Sequence, residues 1–217
     1  TLDTHTATID WGDWTPVEDA VVTETPFGPP GSTDGMSGTI GGSHVYADGG
    51  IYIVTVTLQD DDQGTEVVAA SRQVIVTGAG ILDGVLQIVG TPGDDQVSLN
   101  QQGTGAIRVH ADFLPGGPFK SCAVSAVNQI SAWLFDGDDH LTIAGNIATP
   151  ALLDAGDGDD HLNSGAGPTL LLGGSGSDTL NGGSGRDILV GGSGTDRLVG
   201  GSGEDVLIGG TASDETA

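Results

Sequence analysis

The carboxyl-terminal third of the chain repeats with a period of nine. GGSGSDTLN starts at Gly173, GGSGRDILV at Gly182, GGSGTDRLV at Gly191 and GGSGEDVLI at Gly200, before a degraded GGTASDETA from Gly209. A fixed short period restricts a chain to stacked architectures, because one unit is too small to bury an apolar face alone. Each unit has a Gly-Gly-x-Gly-x-Asp part that must turn tightly and an x-Leu/Ile-x part that can lie extended with one apolar side chain inward. A flexible Gly/Ser linker would need neither the Asp at every sixth position nor the aliphatic residue at every eighth.

The register runs backwards through Ser164–Leu172 (SGAGPTLLL), with Thr169 in the Asp place, and Ala155–Asn163 (AGDGDDHLN), with Asp160 in it. The turns offer crowded backbone carbonyls and one carboxylate each, an oxygen-only set that suits a hard cation, above all calcium. The repeat resembles the RTX (repeat-in-toxin) β-roll family, which implies that two nonapeptides make one coil. Same-side turns then recur every eighteen residues. One side carries Asp160, Asp178, Asp196 and Asp214; the other carries Thr169, Asp187 and Asp205. With an ion held between successive same-side Asp residues, the metal ligands are Asp160, Asp178, Asp187, Asp196, Asp205 and Asp214. Thr169 lacks a carboxylate and leaves a weak or empty place, and the damaged turn around Ala212 and Ser213 puts the Asp214 site in doubt.

Thirty acidic residues against five basic ones give a formal charge of −25. Such a chain repels itself, and a glycine-rich, aromatic-poor tail cannot bury enough apolar surface to offset its ordering entropy unaided. Metal binding is then folding free energy for this region. The missing basic patch excludes nucleic acid, and no apolar run is long enough for membrane insertion. The single Cys122 provides no disulfide framework and reads as a small buried hydrophobe. The chain begins abruptly and ends inside a decaying repeat, as a piece of something longer does.

Residues 1–77 alternate apolar and polar positions in short runs, the pattern of a β-sandwich. Ile9-Asp10-Trp11-Gly12-Asp13, then Gly42-Ser43-His44-Val45-Tyr46 and Gly50-Ile51-Tyr52-Ile53-Val54, resemble the PKD (polycystic kidney disease) domain family. The resemblance implies an immunoglobulin-like sandwich used outside the cell as a spacer, adhesion or carbohydrate-associated module. Trp14 stands where that family has Gly. Trp11 and Trp14 could contact sugar, or pack as core and edge residues. The stretch from Thr25 to Gly35 is longer than a hairpin needs, and the acidic run from Gln59 to Gly64 reads as a solvated turn rather than a metal loop.

Between them, a Gly-Asp-Asp turn followed by an apolar strand recurs at residues 93–95, 137–139 and 158–160, with Asp separations of 44 and 21. That spacing reads as wider β-helix coils narrowing into the roll, with a small independent sandwich at 80–150 as the alternative. His140 and His161 follow equivalent turns; without a third nitrogen or sulfur ligand they read as surface histidines. The glycine motifs lack the Lys of a phosphate loop.

The expected organisation is all-β: a PKD-like sandwich at 1–78, a β-rich bridge at 79–154 and an RTX β-roll at 155–217. The expected function is a noncatalytic, calcium-binding structural segment of a secreted or cell-surface bacterial protein. Further partners would be copies of itself, extracellular matrix proteins or glycans. The alternatives are an accessory module of a larger secreted hydrolase, protease or epimerase, and a carbohydrate-binding adhesin.

Overall fold

Alternating and nonapeptide patterns both favour strands, and the computed structural model of the chain is almost wholly β. It describes residues 5–24, 38–60, 67–103 and 105–210; the Thr25–Gly35 stretch, the acidic residues 61–64 and Asp214 lie outside these. The chain divides into two compact units, one of residues 1–47 and 51–75, the other of 48–50 and 76–217.

In the first unit, β1 (His5–Asp10), β2 (Glu18–Asp19), β5 (Gly50–Asp60) and β6 (Val67–Val76) form one sheet in the order β2-β1-β5-β6. A separate antiparallel pair joins β3 (Val21–Glu24) to β4 (Gly38–Gly41). Residues 42–47, which alternate like a strand, run outside any sheet. Ring packing holds them instead: Trp11 stacks on His44 at 5.1 Å, His44 meets Tyr46 edge-on at 4.8 Å, and Tyr46 stacks on Tyr52 at 4.3 Å. His44 Nε2 lies 2.6 Å from Asp13 Oδ2, and the Tyr46 hydroxyl donates to the Trp11 carbonyl. Trp14 stands in the left-handed region with φ of 67° and is 78% exposed, so its ring takes no part in this cluster.

The second unit is a solenoid with two sheets. It starts with β7 (Gly78–Leu82), β8 (Val85–Val89), β9 (Gln96–Gln102), β10 (Ala106–Ala111) and β11 (Phe119–Ala123). It continues through β12 (Gln129–Asp136), β13 (His140–Ile143), β14 (Ala151–Asp157), β15 (His161–Asn163), β16 (Thr169–Ser175), β17 (Thr179–Asn181), β18 (Ile188–Ser193), β19 (Arg197–Val199) and β20 (Val206–Ile208). One sheet runs β7-β8-β12-β14-β16-β18-β20 and the other β11-β10-β9-β13-β15-β17-β19. Every pairing from β8 and β9 onward is parallel, whereas β7, β10 and β11 pair antiparallel at the starting edge.

The register locates the irregular spacing. Leu86, Ile130, Ala151 and Thr169 are in register from coil to coil in one sheet, and Gln96, His140, His161 and Thr179 in the other, each ten residues after its counterpart in the first sheet. The turn from the first sheet to the second therefore has constant length, and only the return turn varies. The separation of 44 holds the β10–β11 hairpin inserted into that return; the separation of 21 holds three extra residues in the Ala144–Pro150 turn.

The interior is narrow, filled by columns that stack from coil to coil. Leu141, Leu162 and Leu180 form one column, and Ala132, Leu153, Leu171 and Leu189 the facing one, all fully buried. Glycine at the second place of each turn is a steric requirement: Gly174 has φ of 115°, and a Cβ there would lie 1.9 Å from the Gly156 carbonyl oxygen. Because each column residue touches the coils above and below, Leu162→Ala leaves a cavity that its neighbours cannot close. It should cost about 2–5 kcal/mol in denaturant unfolding with calcium present; a loss below roughly 1 kcal/mol would contradict this packing.

Candidate metal site: two rows of stacked carboxylates

The constant-length turn places one Asp of each coil directly under the next. Its backbone N–H donates to the carboxylate of the following coil: Asp95 N to Asp139 Oδ1 at 2.7 Å, Asp139 N to Asp160 Oδ1 at 2.8 Å, Asp160 N to Asp178 Oδ1 at 3.0 Å, and Asp178 N to Asp196 Oδ1 at 3.1 Å. The opposite turn builds a second row, with Thr169 N donating to Asp187 Oδ1 at 2.8 Å and Asp187 N to Asp205 Oδ1 at 3.0 Å. Five described ligand candidates thus fall into two rows, Asp160, Asp178 and Asp196 on one side and Asp187 and Asp205 on the other.

Each bond uses one carboxylate oxygen and leaves the other. Oδ2 of Asp139, Asp160, Asp178, Asp187 and Asp196 is buried without a hydrogen-bond partner. An unsatisfied buried carboxylate oxygen is costly, and adjacent rungs of like charge about 5 Å apart would repel by about 3 kcal/mol per pair at an effective dielectric of 20. The rungs need either protons or a cation.

The glycine that opens each repeat lets two oxygens of neighbouring turns close in where a side chain would otherwise stand. The point where a Cβ of Gly173 would stand lies 2.3 Å from Asp178 Oδ2 and 2.4 Å from the Gly191 carbonyl oxygen of the next coil. The corresponding point at Gly191 lies 2.2 Å from Asp196 Oδ2 and 2.7 Å from the Gly209 carbonyl. At Gly182 it lies 2.7 Å from Asp187 Oδ2 and 2.5 Å from the Gly200 carbonyl. A side chain there would collide with both oxygens, so glycine is what lets a carboxylate and a carbonyl of the next coil converge, and an all-oxygen donor set suits calcium. Among the described residues, no three His, Cys, Asp or Glu side chains converge as a metal cluster. That fits a ladder, in which each rung brings one carboxylate and backbone carbonyls supply further oxygens.

The profile of the RTX calcium-binding nonapeptide repeat matches this chain in four copies, at residues 152–171, 164–198, 172–207 and 190–215. Residues 152–215 are RTX calcium-binding nonapeptide repeats. Neither a curated protein nor a solved structure matches the chain. The ion of these repeats is Ca2+, and the residues present fit it. Bound there, calcium would supply the positive charge that the orphaned Oδ2 atoms lack.

Two residues of the RTX-side row, Asp95 and Asp139, belong to the ladder without belonging to the nonapeptides. The signal for them was the Gly-Asp-Asp phrase, whose spacings of 44 and 21 concealed that the intervening turn is constant. A parallel outer row runs the other way: Asp94 Oδ1 accepts from Asp138 N, Asp138 Oδ1 from Asp159 N, and Asp159 Oδ1 from Ser177 N. His140 and His161 pair in register on β13 and β15, with rings stacked at 4.9 Å and 8°. Parallel rings do not aim their lone pairs at one point. Burial and the neighbouring His161 hold His140 below the usual imidazole range. Cys122 is a free, buried thiol, pushed up by burial.

Burial, then the neighbouring carboxylates, pushes Asp139 up to about 7 and Asp160 up to about 6; Asp178 and Asp187 are raised for the same reasons. Between the ordinary carboxylate value of 3.8 and these raised values, the folded chain keeps protons that the unfolded chain has released. Stability without metal therefore declines as pH rises across that window. In chelator, the melting temperature should fall from about pH 4 to about pH 7 and then level, and Asp139→Asn should flatten the profile. A melting temperature that rises over that range would contradict the protonated ladder.

Proposed function

We propose that the chain is a noncatalytic structural segment of a secreted or cell-surface bacterial protein, in which calcium orders and rigidifies the RTX coils. The observation that carries this is the repeated meeting of a buried, unpartnered Asp Oδ2 with a carbonyl of the next coil at a glycine too crowded to bear a side chain. RTX repeats are typical of secreted bacterial proteins, and calcium is plentiful outside cells. Among the described residues no helix is long and apolar enough to cross a membrane.

Asp178, Asp187 and Asp196 each bring a buried, unpartnered Oδ2 and a carbonyl of the following coil together at one glycine, and on that basis we assign three calcium ions to the described repeats. Asp205 closes the second row, and its N–H-accepting Oδ1 fixes Asp187 in place. At Thr169 the row has no carboxylate, and the Ser164 hydroxyl donates to the Gly182 carbonyl that an ion would otherwise use. Calorimetric titration should give three sites, and Asp178→Asn should remove one of them while lowering the melting temperature in calcium. Chelator should reduce β circular dichroism and thermal stability. An unchanged spectrum and melting temperature on chelation would sink the proposal.

The first unit is read as a PKD-like module on the packing of its signature residues Trp11, His44, Tyr46 and Tyr52. A second role, carbohydrate adhesion, is favoured by one observation, the outward Trp14 ring on its left-handed turn. Glycan-array binding abolished by Trp14→Ala would support it; binding that survives the substitution would remove it. Self-association into matrix or fibre, and service as an accessory module of a larger secreted enzyme, fit the same calcium-ordered coils.

A further inference from the structure

We infer that the row of calcium sites extends beyond the nonapeptides into the turn of residues 134–139, where Asp139 supplies the carboxylate for one further ion held against the turn of 155–160. This rests on the calcium reading above and adds a site outside residues 152–215, the span that the repeat profile matches. In sequence the turn departs from the repeat. Leu134 and Phe135 stand where a nonapeptide opens with two glycines, as at Gly173 and Gly174.

The backbone nevertheless takes the nonapeptide course. Phe135 has φ of 78°, against 113° at Gly156 and 115° at Gly174, and Gly137 has 124°, against 145° at Gly158 and 132° at Gly176. Phe135 is thus held in the left-handed region, which residues with a Cβ avoid. The bonds between coils repeat as well. Gly137 N donates to the Asp157 carbonyl as Gly158 N does to that of Ser175 and Gly176 N to that of Ser193, each at 2.8 Å. The carbonyls of Phe135 and Gly137 crowd Gly156 and Gly158 of the next coil, as those of Gly156 and Gly158 crowd Gly174 and Gly176. Backbone oxygens therefore face the gap between turns at the same two places in both.

The carboxylate decides what those oxygens serve. Asp139 is 1% exposed; its Oδ1 accepts from Asp95 N at 2.7 Å, and its Oδ2 is buried without a partner, as in Asp160 and Asp178. Asp95, one coil earlier, shows how a rung closes without metal: Thr91 N donates to its Oδ2 at 2.8 Å and Thr91 Oγ1 to its Oδ1 at 2.9 Å. By register Phe135 takes the place of Thr91 in the next coil, and it has no hydroxyl to give. A divalent cation would relieve the oxygen that no protein donor reaches, and carboxylate and carbonyl oxygens together select a hard one such as calcium. The ion fills after the three assigned above, because Leu134 keeps a side chain where Gly173, Gly182 and Gly191 let oxygens close in.

Asp139→Asn retains an acceptor for Asp95 N and removes the charge. In equilibrium dialysis at saturating calcium, the unaltered chain should bind one more ion than the variant. Calcium anomalous scattering from crystals of the unaltered chain should show a peak about 2.3–2.6 Å from Asp139 Oδ2, absent from crystals of the variant. Equal stoichiometry in the two chains, or no peak at Asp139 in the unaltered one, would overturn the inference. Should the variant fail to fold, the map of the unaltered chain decides alone. Ions at Asp178, Asp187 and Asp196 with none at Asp139 sink this site only; calcium missing from all four sinks the functional reading as well.

Discussion

Everything in the solenoid depends on one hydrogen bond, from an Asp backbone N–H to the Asp carboxylate of the next coil. It repeats four times on one side and, with Thr169 as first donor, twice on the other. The bond sets the vertical register of the turns and so the stacking of the leucine columns inside them. It also divides each carboxylate into an oxygen that is used and an oxygen that is buried without a partner. A chain can satisfy that second oxygen by protonating it or by supplying a cation.

The eighteen-residue spacing was legible because nonapeptides have nothing in them but turn and strand. Asp160, Asp178, Asp196, Asp187 and Asp205 fall into the two rows that spacing gives. The upstream rungs were harder. Asp95 and Asp139 lie in the same geometry, but the β10–β11 hairpin and the longer Ala144–Pro150 turn stretch their separation without altering the turn that positions them. A period measured from Asp to Asp mixes a constant half-coil with a variable one. Measured within the half-coil, from Leu86 to Gln96 or from Ala151 to His161, the period survives.

Glycine was read for its backbone freedom, which is right at Gly174. At Gly173 its role is spatial, since a Cβ there would collide with Asp178 Oδ2 and with the Gly191 carbonyl oxygen of the next coil. That role shows only when adjacent coils are seen together. The first unit shows the converse limit. Residues 42–47 alternate like a strand, yet stacking of Trp11, His44, Tyr46 and Tyr52 holds them in place of sheet pairing.

The most direct test of the carboxylate–glycine account is the anomalous scattering of calcium in crystals of the whole chain. The account predicts peaks between successive turns of each row, against the Oδ2 atoms of Asp178, Asp187 and Asp196 and a carbonyl of the following coil. Bare solvent at all three of those carboxylates in saturating calcium would contradict it.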